Sequence, residues 1–140
     1  MPRIIAIDYG KKRCGIAVTD PLRIIANGLT TVSTGEIFTF LKDYFSKEET
    51  TTIVVGEPKR LDGTATHSTV PTEKFVEKLK KEFPAMKIER VDERFTSKMA
   101  FQTMIDSGLK KKDRQNKELV DEISACIILQ SYMETTNRRD

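Results

Sequence analysis

Three acidic residues stand in apolar settings that call for a charged partner. Asp8 closes the run Arg3-Ile4-Ile5-Ala6-Ile7-Asp8, the most apolar strand-like segment of the chain. Glu93 follows a second strand-like run, Lys87 to Asp92, and Asp121 lies near the start of the most apolar helical segment, roughly 117–135. At about 100° per residue, Asp121 shares a helical stripe with Ala125, Ile128 and Tyr132. An acid on a core-facing stripe is costly unless it is paired or binds a metal. Strand ends of an α/β sheet are the usual place for a site. Carboxylates gathered there repel one another and raise each other's pKa, and a divalent cation removes that repulsion. Each acid also has an ordinary role open to it. Asp8 can cap the following turn, Glu93 can pair with Arg94 or a lysine, and Asp121 can complement a helix N-terminus.

The remaining reactive residues narrow the chemistry. The chain has one histidine, His67, and two cysteines, Cys14 and Cys126, far apart and outside any C-x-x-C pattern. That excludes a cysteine zinc site, argues against a disulfide framework and makes a Ser-His-Asp triad doubtful. A metal here must be held mainly by carboxylates, which points to Mg²⁺ or Mn²⁺. Net charge is +3, but residues 110–117 alone hold five bases against one acid. Lys110, Lys111, Lys112 and Arg114 in that stretch are candidates for phosphate contact; the plainer reading is a solvated loop. Lys11, Lys12 and Arg13, in the turn after Asp8, are near enough in sequence to serve the same purpose.

These groups need a scaffold, and 140 residues supply one domain, 1–140. Hydrophobic residues at 38% and charged residues at 32% indicate a globular chain. No apolar run approaches the roughly 20 residues that cross a bilayer. No signal-peptide pattern precedes the first strand, so a cytoplasmic location is expected. Residues 3–9, 13–19 and 26–33 read as strands, the first two joined by a short hairpin, with Gly28 a weak point in the third. Ile37, Phe38, Phe40, Leu41, Tyr44 and Phe45 recur at helical spacing over 36–47. Thr51 to Gly56 reads as a buried strand, 59–70 as a loop, and Pro71 as part of a helix's first turn. Residues 87–92 alternate like a strand, 97–106 read as a helix, and the final helix is apolar nearly all round after its first turn. The order β-β-β-α-β-α-β-α-α implies an α/β fold, a mixed five-stranded sheet with helices on both faces.

Four segments together resemble one family. They are Ile7-Asp8-Tyr9-Gly10 with Arg13-x-Gly15-x-Ala17-Val18-Thr19-Asp20; Val54-Val55-Gly56-x-Pro58 with Leu61-Asp62-Gly63-Thr64; Val91-Asp92-Glu93-Arg94-Phe95-Thr96-Ser97; and Asp121-Glu122-x-x-Ala125 with Ile127-Ile128-Leu129-Gln130-x-Tyr132. The pattern is similar to the YqgF/RuvX family of pre-16S rRNA nucleases, formerly grouped as Holliday junction resolvases, and it covers nearly the whole chain in order. The resemblance implies an RNase H-like fold and a metal-dependent phosphodiesterase site in a bacterial cytoplasmic protein, monomer or homodimer. It makes Asp8, Glu93 and Asp121 the metal-binding, catalytic carboxylates. Two Mg²⁺ or Mn²⁺ ions about 3.5–4 Å apart would then bridge them to the scissile phosphate, and Arg94 would steady a phosphate oxygen or hold Glu93. Glu57 departs from the family pattern, which has leucine there, and reads as a solvent-facing change rather than a fourth acid. His67 reads as an exposed loop residue.

Three functions follow: an RNA-processing nuclease, a four-way-junction DNA resolvase, and a non-catalytic nucleic-acid-binding module. A resolvase cuts two strands symmetrically and requires a dimer, for which the aromatic residues of 38–45 are a candidate surface. An Asp-x-Gly hairpin also opens actin-like ATPases, but those need two such domains, more than this chain contains.

Overall fold

Strand β1 (Arg3–Asp8) buries Ile4, Ile5, Ala6 and Ile7 and occupies the centre of a five-stranded sheet in the computed structural model. A strand this apolar on both faces belongs in the sheet interior. The structure describes residues 2–20, 26–57, 69–92 and 117–139. β2 (Arg13–Thr19) and β3 (Ala26–Ser33) extend the sheet antiparallel on one side of β1, and β4 (Thr50–Glu57) and β5 (Lys87–Asp92) extend it parallel on the other, giving the order β3-β2-β1-β4-β5. The parallel links run through helices α1 (Ile37–Lys47) and α2 (Thr69–Glu82), and α3 (Lys117–Arg139) closes the described chain. The mixed sheet expected from the sequence is present. The helix expected at 97–106 falls outside the described residues.

Alternation along the strands builds two cores. Ile5, Ile7, Cys14, Ile16, Ile53 and Val55 point to the face covered by α1 and α2 and pack with Leu41, Phe75 and Leu79. Ile4, Ala6, Ala17 and Val54 point the other way and pack against Ala125, Ile128, Leu129 and Met133 of α3. Helices therefore cover both faces. The stripe expected on α3 is real, but the helix is less enclosed than its composition implies: Ile127, Ile128 and Leu129 are buried while Gln130 and Glu134 face water.

Two departures have local causes. Ile16 pairs with Thr30 and Ala17 with Gly28, so Leu29 is the extra residue of a bulge beside the suspect glycine. The aromatic residues of α1 are each partly buried rather than fully exposed. Phe38, Phe40, Tyr44 and Phe45 all pack against the core, with Phe45 edge-on to Phe83 at 5.1 Å.

Candidate active site

Asp8 is the last residue of β1 and pairs across the ladder with Gly15 of β2. Its even position in the strand places it with Ile4 and Ala6, on the face that α3 covers. α3 crosses β2 at Gly15 so closely that a Cβ there would overlap the backbone carbonyl of Asp121. Only glycine permits that approach. Asp8 and Asp121, far apart in sequence, are thereby both brought to Gly15, one through strand pairing and one through helix packing. The charges of both carboxylates reach the buried Cys14 thiol: burial is the main force raising its pKa, and Asp8 and Asp121 add to it, against hydrogen bonds from Gly10 and Thr34.

Arg13 completes this arrangement in a way the sequence did not indicate. Its Nε donates to Asp121 Oδ2 at 2.8 Å, with side-chain exposures of 32% and 24%. Arg13 also lines the groove of the turn, and here it neutralises an acid of the site, as a carboxylate partly withdrawn from water requires.

The turn between β1 and β2 is held from outside. Thr34, opening a short 3-10 turn at Thr34–Glu36, donates through Oγ1 to the Gly10 carbonyl at 2.6 Å and through its backbone N–H to the Lys12 carbonyl at 3.0 Å. A Cβ at Gly10 would come within 2.6 Å of the Arg13 carbonyl, so the turn also demands glycine at its start. Lys11 and Lys12 are exposed at its tip. Gly10, Lys11, Lys12, Arg13 and Asp121 line an open groove of about 340 Å³. The groove thus joins an acid of the site to two exposed lysines, a combination suited to a phosphodiester. The signal missed in the sequence was Thr34, whose distance from the hairpin conceals its contact with it.

The other side of the sheet end has its own brace. Arg90 of β5 donates to the Val55 and Gly56 carbonyls, both at 3.3 Å, and to Glu73 of α2 at 2.8 Å. Glu57 is half-buried and pairs in register with Asp92, so it lies at the sheet's edge of strand ends rather than fully in solvent. β5 ends at Asp92, and Glu93, Arg94, Lys110, Lys111, Lys112 and Arg114 lie outside the described residues, as does His67. Among the described residues no group of three His, Cys, Asp or Glu is placed to hold a metal ion. The pair Asp8 and Asp121 is what the described chain assembles.

Three antiparallel strands followed by two parallel ones, with a final helix delivering an acid to the end of the central strand, make an RNase H-like fold. Two solved structures of Thermus thermophilus RuvC share it: one in complex with a Holliday junction substrate, TM-score 0.56 at 18% identity over 96% of this chain and 98% of that one, and one alone, TM-score 0.55 at 15% identity over 95% and 97%. The family model described as "RuvX: Holliday junction resolvase" matches residues 2–135, and the chain belongs to the RuvX family. Relatives named "Putative pre-16S rRNA nuclease" include one from Flavobacterium psychrophilum, 65% identical over 95% of this chain and 97% of its own length. Another, from Bacteroides thetaiotaomicron, is 57% identical over 96% and 98%. No helix among the described residues is long and apolar enough to cross a membrane.

Proposed function

We propose that the chain is a metal-dependent nuclease that hydrolyses phosphodiester bonds in RNA, in the maturation of pre-16S rRNA. The observation that carries this reading is the convergence of Asp8 and Asp121 at Gly15. Their oxygens form a hard donor set, the kind that Mg²⁺ or Mn²⁺ prefers. Glu93, one residue beyond β5, is the third ligand in this proposal. The metal, in the two-ion arrangement, would supply an activated water and neutralise charge on the phosphate. The chain's own residues do the rest. Asp8 and Asp121 orient the donor oxygens, Lys11 and Lys12 draw the backbone into the groove, and Arg13 holds the Asp121 carboxylate in place until substrate and cation arrive. Lys110, Lys111, Lys112, Arg114 and Arg94 are proposed to extend the phosphate contact.

The curated relatives are named for RNA, and the family model for a DNA junction. Identities of 50–65% across nearly full-length relatives favour the RNA reading. The test is cleavage of a labelled pre-16S leader RNA and of a four-way DNA junction with Mn²⁺ or Mg²⁺, beside the variant Asp8→Asn. RNA cut by the wild type alone supports the proposal. Paired symmetric cuts in the junction favour the resolvase and a homodimer, and activity retained in Asp8→Asn removes the carboxylate site. A protein that binds RNA without turnover or metal uptake is a binding module.

A further inference from the structure

On the opposite face of the same strand end lies a second groove of about 490 Å³, within the roughly 300–1,000 Å³ of small-ligand sites. Tyr9, the residue after Asp8, forms its inner wall, and Gly10, the next residue, lines the groove of the acids. The two grooves thus back onto one another across a single peptide bond. Tyr9 stacks on Phe75 with ring centroids 4.5 Å apart, and Phe38 meets Phe75 edge-on at 5.6 Å. The charged residues lining the groove are Lys74 and Lys78, one helical turn apart on α2, with Lys78 Nζ 4.6 Å over the Phe38 ring. Val70 stands 62% exposed in its lining, the more exposed of the two large hydrophobic residues that face water among the described residues.

Aromatic walls rimmed by lysines are the elements of single-strand recognition, where bases stack on rings and cations follow the backbone. We infer that this groove takes an unpaired nucleobase of the strand being cut, one or two nucleotides from the phosphate that lies against Asp8. The inference rests on the nuclease reading and adds to it a requirement for single-stranded substrate beside the cut. A duplex holds its bases stacked inward and cannot enter the groove; an unpaired strand can turn over the sheet end at Tyr9-Gly10 and place a base there. Stacking is tolerant of base identity, so the groove selects strandedness rather than sequence.

The test uses full-length Asp8→Asn and a single-stranded oligoribonucleotide carrying 2-aminopurine at one position at a time around the mapped cut. Quenching at one position or two adjacent ones is expected, and an abasic site there should weaken binding about tenfold. Tyr9→Ala should abolish the quenching and Tyr9→Phe restore it. Val70→Asp, a change at an exposed side chain, should abolish it without disturbing the fold. Uniform fluorescence at every position, or quenching that survives Val70→Asp and Tyr9→Ala, overturns the groove while leaving the carboxylate site untouched. Cleavage by Asp8→Asn itself overturns the nuclease site on which the inference stands.

Discussion

Arg13 and Asp121, 108 positions apart in sequence, meet at 2.8 Å across the seam between β2 and α3. The pair makes Arg13 an internal stand-in for a cation at the carboxylate of Asp121. A divalent ion at Asp121 must compete with it. Arg13→Gln should lower stability by about 0.5–1 kcal/mol in metal-free buffer, because the ion pair between Arg13 and Asp121 is lost. Added Mg²⁺ should stabilise the variant more than the wild type, since a tighter-bound ion stabilises the folded state further, by RT ln(1 + [Mg²⁺]/Kd). Denaturant melts with and without Mg²⁺ measure both effects. Equal Mg²⁺ stabilisation in the two proteins would show that Arg13 does not compete for the site.

Gly15 sets how near Asp121 comes to Asp8. Gly15→Ala should force α3 away from β2, at about 1–3 kcal/mol for overpacking. Its effect on cleavage should exceed its effect on stability, because displacements near 1 Å at a reacting centre can cost about a hundredfold. Gly35 gives the contrast: a Cβ there meets nothing within 4 Å, and Gly35→Ala should leave stability within about 0.5 kcal/mol. Thermal melts and initial rates on the two variants check the pairing. A fully active Gly15→Ala protein would mean that the close approach is not needed for chemistry.

Thr34 holds the lysine-bearing turn through its 2.6 Å bond to the Gly10 carbonyl. Thr34→Val removes that bond and keeps the shape, at about 1 kcal/mol. RNA affinity should fall several-fold while the slope of log K against log salt stays unchanged, since no cation has been lost. Lys11→Ala or Lys12→Ala should instead reduce the slope by about one. Titrations at several salt concentrations separate the two behaviours. A changed slope in Thr34→Val would mean that the turn, once loosened, also loses its phosphate contacts.

The strands were legible because short-range pattern decides them. β2, β3 and β5 begin and end where alternation and turn residues place them, and the stripe of Asp121, Ala125, Ile128 and Tyr132 on α3 follows from helical period alone. Asp8 and Asp121 were legible as candidates because an acid in an apolar run conflicts with burial. Their pairing with particular partners was not. Arg13 belongs to a basic cluster in sequence, and nothing local says that its guanidinium turns to α3 while its neighbours Lys11 and Lys12 face water. The bridging role of Thr34 and the brace at Arg90 depend on which chain segments the sheet order brings together. The fate of the α1 aromatics depends on α2 and Phe83, contacts that no window of sequence contains.

The cysteines give a pH dependence of stability with a defined sign. Burial, and then the nearby Glu122 charge, pushes the Cys126 thiol from 9.0 up to about 11. Cys14 is raised as well, chiefly by burial. Between pH 9 and 11 the unfolded chain releases the Cys126 proton while the folded chain keeps it, and the raised Cys14 thiol acts in the same direction. The unfolded state then binds fewer protons, so stability falls as pH rises through this window and is unaffected by these groups below it. For Cys126 the loss should be about 1–2 kcal/mol, less than the full two-unit shift because the thiol is only partly buried. Cys126→Ala removes that titration, and its stability curve should run flatter than the wild type's from pH 9 to 11 while staying parallel below pH 8. Denaturant midpoints across that range provide the measurement. Parallel curves throughout would show that the folded thiol titrates at its ordinary value and that α3 leaves Cys126 open to water.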